Sequence, residues 1–374
     1  MIYNYISLDS ALFKQDGSNF RDLNYLIQIL SRQNIDEIAR YKFFCLDNDA
    51  EVALADMAHF RALTNVDQLL IQEYTNEAML NGQLGTATRY ISNQTATATI
   101  PTTFNVTEAI RFFSTPVALV LENSLNDSYF IKAIFKHFGS TVEGTNVLLS
   151  FLDSDWITFV NAGGWKNTGN YIEEKKQALQ NFAARQMQAP EKYLRHFILI
   201  DSDKEYEQYT DGDLSRKQTL SQDLEALGCQ VHILQKRAME NYMPDEVVED
   251  LGQVYRSWID VYKVLSDKQK DYLNYEKGLE RKIEKVKQVL PRTEEKEEIK
   301  QLYPSDGDDS ISDANYSILS NGLKALKIKD FKKEFPKNFW THHQVYKDSL
   351  LNRAGGTEEK NELKDIMNKI ISLL

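Results

Sequence analysis

Two short runs, VALVL at 117–121 and HFILI at 196–200, limit what this chain can become. Five apolar or aromatic-rich residues in a row, with no polar alternation, suit a strand covered on both faces. Amphipathic segments separate such runs. In SYFIKAIFKHFG, Phe130, Ile131, Ile134, Phe135 and Phe138 share one helix face, and Gly139 is placed to end it. NVLLSFL and WITFV follow, then a helix around YIEEKKQALQNFAARQM, the strand HFILI, a helix around SRKQTLSQDLEALG and the strand CQVHIL. Strand and helix alternate, which predicts an α/β unit with a mostly parallel sheet.

The flanks read differently. Leu23, Leu26, Ile27 and Leu30 mark a helix in FRDLNYLIQILSRQ, YKFFCL reads as a short strand, and 52–80 reads as helices. TATATIPTTFNV, with Pro101, reads as an edge strand or linker. After about residue 245 the pattern turns helical and charged. DYLNYEKGLERKIEKVKQVL reads as a long two-signed helix, and the last helix carries Leu363, Ile366, Ile370 and Leu373 on one stripe. The expected division is a mainly helical unit over 1–112, an α/β unit over 113–250 and a helical region over 251–374. A chain of 374 residues is long enough for two or three domains.

A net charge of −11 argues against wrapping nucleic acid on a basic surface, but not against a nuclease, where ions supply local positive charge. Cys45 and Cys229 cannot build a disulfide framework, and no Cys/His cluster has zinc spacing. No N-terminal secretory pattern and no run near the roughly 20 apolar residues of a membrane span occur. A cytoplasmic, reduced protein without membrane contact is expected.

Ligands in open α/β sheets bind at the carboxyl ends of the strands. Glu122 follows VALVL directly, and Asn123, a residue tolerant of positive φ, occupies the turn before a helix. The alternative for Glu122 is a helix cap or a solvent-facing side chain. Asp201-Ser202-Asp203 follows HFILI. In extended chain both carboxylates would face one way and could share a hard cation such as Mg²⁺, which would offset their repulsion. The same triplet recurs at Asp47/Asp49, Asp153/Asp155 and Asp211/Asp213, so alone it equally fits an acidic turn. Between the two sites lies NAGGWKNTGN, where Gly163 and Gly164 permit close approach to a phosphate and Lys166 could hold it, or where an ordinary tight turn sits. A Walker A loop is absent.

The order of these elements resembles the Toprim domain of topoisomerases, primases and the nucleases of the overcoming-lysogenization-defect family. That domain carries a Glu after its first strand, a Gly-containing turn after a middle strand and D-x-D after a later one. Glu240-Asn241-Tyr242, after CQVHIL, is similar to an acidic signature of those nucleases. The resemblance spans roughly 115–250. It departs from the family pattern E-G-x-x-D: Asn123 stands for Gly, and Asp127 comes one position late. Asp127 therefore reads either as a site residue or as a helix N-terminal cap. Glu240 reads as a site residue or as a partner of the Lys236/Arg237 neighbourhood.

What the resemblance implies is a Toprim-like sheet and a Mg²⁺- or Mn²⁺-dependent nuclease, with two ions cutting DNA or RNA. Glu122, Asp201 and Asp203 are the expected metal ligands, Asp127 and Glu240 the second choices. A lysine among Lys324, Lys327, Lys329, Lys332, Lys333 and Lys337, interleaved with aromatics, would contact the strand; the plainer reading is a solvated basic helix face. With no ATPase motif, control by a partner protein such as an ATPase is implied, as in anti-phage effectors. Residues 1–105 are expected to dimerise the protein or dock that partner. The competing expectation is a non-catalytic subunit that uses a Toprim-like core as scaffold.

Overall fold

A computed structural model describes residues 4–16, 19–32, 42–46, 54–80, 89–93, 103–139, 146–279, 281–283, 286–288, 290–323 and 331–374. The predicted parallel sheet is present. Strands β5 (Val117–Leu121), β6 (Ile157–Asn161), β7 (His196–Ile200) and β8 (Gln230–Ile233) pair side by side, all parallel, in the order β6-β5-β7-β8. The two central strands, β5 and β7, are buried at every position, while edge strands β6 and β8 are only partly so. Continuous apolar runs therefore went to the centre.

Alternate residues of the sheet enter two different cores. Val117, Leu119 and Leu121 of β5 and Phe197 and Leu199 of β7 join the helix Ser124–Phe138 and the C-terminal stripe of Leu363, Ile366 and Ile370. Val120, Ile198, Ile200 and Val231 join Ile172 and Leu179 of the helix Thr168–Arg185 on the other face. That second core continues into Leu26, Ile27 and Phe112 of the N-terminal region. Each fully buried Val, Leu, Ile or Phe contributes about 1.5–3 kcal/mol, so both coverings matter to the sheet.

Three features depart from expectation. Residues 4–104 carry the expected helices Phe20–Arg32 and Asn65–Leu80, the expected strand in YKFFCL and an edge strand within TATATIPTTFNV, but these strands belong to a second four-stranded parallel sheet that a mainly helical unit did not include. Its strands are β1 (Asn4–Leu8), β2 (Lys42–Leu46), β3 (Arg89–Ile91) and β4 (Thr103–Phe104), in the order β2-β1-β3-β4. NVLLSFL forms a helix, Val147–Asp153, capped by Asn146; its five apolar residues, interrupted by Ser150, satisfy either geometry. The long charged helix does not form: Asp267–Tyr272 is helical, turns follow, and Arg281–Ile283 pairs antiparallel with Val286–Gln288. Gly278, at φ +61, interrupts that stretch, and Pro291 directly follows it. The final helix, Glu362–Ile371, buries its predicted stripe. Among the described residues no helix is long and apolar enough to cross a membrane.

Candidate functional site

From β5 the chain runs to β6 on one side and then to β7 on the other. The strand order reverses between β5 and β7, and the crevice at their carboxyl ends is where such sheets bind ligands. Glu122 leaves β5 and Asp201 leaves β7 at that point.

Glu122 joins three strand ends. Its Oε1 accepts the Asp201 backbone N–H (3.3 Å) and its Oε2 accepts that of Trp165 (3.3 Å). The Gly164 N–H donates to its carbonyl (3.2 Å). Gly163 and Gly164, at φ +68 and +109, make the turn after β6 that aims these amides. No Cβ clash threatens Gly164, so its requirement is conformational. In the turn expected to cradle a phosphate, the Gly163 amide donates to the Asn161 side chain (3.0 Å), and the next two amides serve Glu122. Lys166 is exposed, with its ammonium over the Trp165 ring (5.4 Å).

The turn after β5 also differs. Asn123 adopts φ −138, so no positive φ is needed there. Asp127 accepts the Asn123 backbone N–H (2.7 Å) and thereby caps the 124–138 helix. Its charge nevertheless reaches Asp201.

At the D-x-D turn, convergence does not come from strand alternation. β7 ends at Ile200, and Asp203 takes φ +55. Asp203 is held there by its N–H to the Arg237 carbonyl (2.9 Å), while buried Ser202 donates to the Lys236 carbonyl (2.7 Å). Asp201 Oδ1 accepts the Met239 N–H (3.3 Å). Burial, together with the charges of Glu240, Glu122, Asp127 and Asp203, pushes the Asp201 carboxyl well above its ordinary range. Burial likewise raises Glu122, opposed by Lys217 and reinforced by Asp203. Five carboxylates proposed from separate stretches of sequence thus act on one another.

Glu240 begins from the short turn of helix Met239–Tyr242. Its neighbours are structural. Asn241 is buried and donates to the carbonyls of Lys270 (2.7 Å) and Leu273 (2.9 Å). The Tyr242 hydroxyl donates to Glu362 and accepts the Lys236 N–H. Lys236 is paired with Asp271. Asp201, Asp203 and Glu240 line a cleft of about 130 Å³ whose other lining includes Arg237, Asn274 and Lys277.

Two cations escaped the sequence reading. Lys277 lies in a stretch expected to be plain helix. Lys217 sits on the helix Gly212–Ala226 between Arg216 and Gln218, and nothing local distinguishes it from a solvated residue. It is 0% exposed and donates to Asp203 Oδ2 (2.5 Å) and to the Asp201 carbonyl (2.7 Å). Lys329, like Lys324 and Lys327, lies outside the described residues, as do Asp47 and Asp49. Lys337 is paired with Glu334 (2.7 Å).

The donors present are carboxylate oxygens, the type hard cations take. Carboxylate chemistry suits a divalent ion, and a cation there would offset the burial and like charge that raise the Asp201 carboxyl. Among the described residues, however, no three His, Cys, Asp or Glu side chains stand arranged to hold one ion. Their oxygens accept backbone amides and the Lys217 ammonium instead. No protein-family model matches the chain, and neither curated proteins nor solved structures give a match.

Proposed function

We propose that this chain is a metal-dependent nuclease with a Toprim-like domain, hydrolysing phosphodiester bonds of DNA or RNA. What supports the reading is the Asp201 carboxyl, set at the strand-order reversal and pushed above its ordinary range first by burial and then by the charges of Glu240, Glu122, Asp127 and Asp203. Such a concentration of like charge is costly to keep without a cation to serve. Glu122, Asp201 and Asp203 form the acidic corner that would hold Mg²⁺ or Mn²⁺, with Asp127 and Glu240 adding charge. A bound ion would supply Lewis-acid activation of water and neutralise charge on phosphorus. Arg237 and Lys277, across the cleft, would bind the phosphodiester oxygens and orient the strand. By the same resemblance, we propose that a partner protein such as an ATPase holds the activity in check, as in anti-phage effectors.

The test is cleavage of plasmid DNA and of RNA with Mg²⁺ or Mn²⁺, comparing wild type with Asp201→Ala. The expected loss is at least about a hundredfold, since even outer residues of metal sites cost ten- to a hundredfold. Cleavage untouched by Asp201→Ala would end the proposal. A second reading, a non-catalytic interaction subunit, is favoured by the engagement of the acidic oxygens with amides and an ammonium. It expects no cleavage by either protein, with or without the partner.

A further inference from the structure

The helix Ser124–Phe138 begins at the acidic corner and carries cations away from it. Leu125, Tyr129, Lys132 and Lys136 recur at steps of four, three and four, so they share one helix face. The core takes the opposite side, through Phe130, Ile131, Ile134 and Phe135. Leu125 is 78% exposed, Lys136 is exposed, and Tyr129 and Lys132 are half-buried. Edge strand β6 lies alongside: its Phe159 pairs in register with Leu119 and so faces the side of the sheet that this helix covers. The Lys132 ammonium lies over the rings of both Tyr129 (5.6 Å) and Phe159 (5.7 Å). Further along, a ring contact between Phe130 and Phe339 (5.2 Å) sets the helix Asn338–Thr341 against this one, and its Trp340 ring lies 5.2 Å from the Lys136 ammonium. Among the described residues neither Lys132 nor Lys136 has a carboxylate partner, whereas Lys176, Lys263 and Lys337 each have one. An aromatic face attracts an ammonium without neutralising it, so both charges remain open to an anion. In a chain of net charge −11 that is a local exception.

We propose that this face is a track for a single strand of nucleic acid, with Lys132 and Lys136 on neighbouring phosphates and Trp340, Tyr129 and Phe159 offering flat surface to the bases. The two lysines stand one helical turn apart, about 6 Å along the axis. A single strand fits better than a duplex, because half-buried rings stand among the cations and only unpaired bases can stack on them. The track runs to the acidic corner: Tyr129 is two residues beyond Asp127, whose charge reaches Asp201. It names the form of substrate for that corner and rests on the nuclease reading for its purpose, but it is tested by binding alone.

Binding is measured on the full chain by fluorescence anisotropy, with a labelled oligodeoxythymidylate of about twelve nucleotides in chelator, so that neither ion nor cleavage enters the result. Wild type binds it more tightly than a duplex of the same length. At about 50 mM salt the double variant Lys132→Gln/Lys136→Gln binds at least about tenfold more weakly, and its salt slope falls by about 1.4, since each phosphate contact on a single strand contributes about 0.7. Lys175→Gln is the control. Its ammonium lies over the Tyr171 ring (5.2 Å) in the same manner, but on the helix that covers the other face of the sheet, and its affinity stays within about twofold of wild type. Trp340→Leu keeps apolar packing but loses the stacking surface and binds at least about fivefold more weakly, while Trp340→Phe stays within about threefold. Equal losses in Lys175→Gln and the double variant, or tighter binding of the duplex, overturns the track. Displacement of the strand by polyglutamate as readily as by unlabelled oligonucleotide also overturns it, and assigns the face to an acidic protein partner. If the strand binds through these lysines but cleavage ignores Asp201→Ala, the track stands and the nuclease reading ends. If Asp201→Ala abolishes cleavage while the double variant binds like wild type, the reverse holds.

Discussion

Gly322→Ala tests whether the cleft wall depends on a backbone crossing far from the acidic turn. Gly278 and Gly322 approach so closely that a Cβ on Gly322 would lie 2.3 Å from the Gly278 nitrogen and 2.6 Å from both the Glu276 carbonyl oxygen and the Lys277 carbonyl carbon. All three are backbone atoms, so no side chain can swing aside. Gly322 also has φ +59 and ψ −179, a region open essentially to glycine. The conformation alone costs an alanine about 1–3 kcal/mol. Forcing the two segments apart adds about 1–3 kcal/mol. It also strains the Leu279 N–H to Ser320 carbonyl bond (3.1 Å) and the Leu323 N–H to Tyr275 carbonyl bond (2.8 Å), each worth about 1 kcal/mol. The expected destabilisation is about 3–6 kcal/mol by urea unfolding. Gly307→Ala is the control: its φ is +94, but nothing lies within 4 Å of the added Cβ, so it costs about 1–2 kcal/mol. Because residues 274–277 line the cleft, the proposed nuclease activity is expected to fall in Gly322→Ala at temperatures where it remains folded. If the two variants differ by less than about 1 kcal/mol, the crossing is not the constraint argued here.

Other perturbations follow from the same contacts. Burial and the neighbouring carboxylates raise the Asp201 carboxyl well above its ordinary range, so through the window above about pH 4 the folded chain retains a proton that the unfolded chain releases. Stability without metal therefore falls as pH rises through that window. Asp201→Asn is expected to flatten the fall and to melt higher than wild type in chelator at neutral pH, while losing Mn²⁺-dependent stabilisation; parallel pH–melting curves would refute this. Lys236 is pushed down to about 8 by burial and then by the Arg353 charge. The folded state sheds that proton at about pH 8 and the unfolded state near 10.5, so wild type gains stability relative to Lys236→Met above pH 8, by up to about 1.4 kcal/mol per pH unit; denaturant midpoints at pH 7.5, 8.5 and 9.5 read it. Glu362 accepts from Gln235 N–H (2.7 Å) and from Tyr242, and pairs with His232 (2.7 Å), so Glu362→Ala leaves buried donors unmet and costs about 3–5 kcal/mol by urea unfolding. A cost below about 1 kcal/mol would show that the network does not tie the C-terminal helix to the turn of Glu240.

What could be read before folding was whatever depends on neighbours in the chain. VALVL and HFILI announce two buried strands because four or five consecutive apolar residues have few other uses, and an acid directly after each then falls at the carboxyl end of a central strand. The 362–371 helix was legible because its stripe repeats at helical spacing. NVLLSFL was not, since the short run Val147–Leu152 satisfies strand and helix alike. Of the first sheet, YKFFCL showed as a strand and TATATIPTTFNV as an edge strand or linker, but β1 and the three-residue β3 did not, so the sheet as a whole was not legible. The site divides the same way. Glu122, Asp201 and Asp203 carried a positional signal, but their geometry did not follow from alternation, because Asp203 leaves extended chain at φ +55. Gly163 and Gly164 were recognised as a turn, yet what their amides bind is decided by a glutamate some forty residues away. Lys217 shows the limit most clearly. On its helix it is one polar residue among several, and only the packing of that helix under the β7 turn removes it from water and gives its charge a purpose. A buried cation declares itself through tertiary contacts alone, so the residue that sets the electrostatics of an acidic site is the one that motif reading is least able to find.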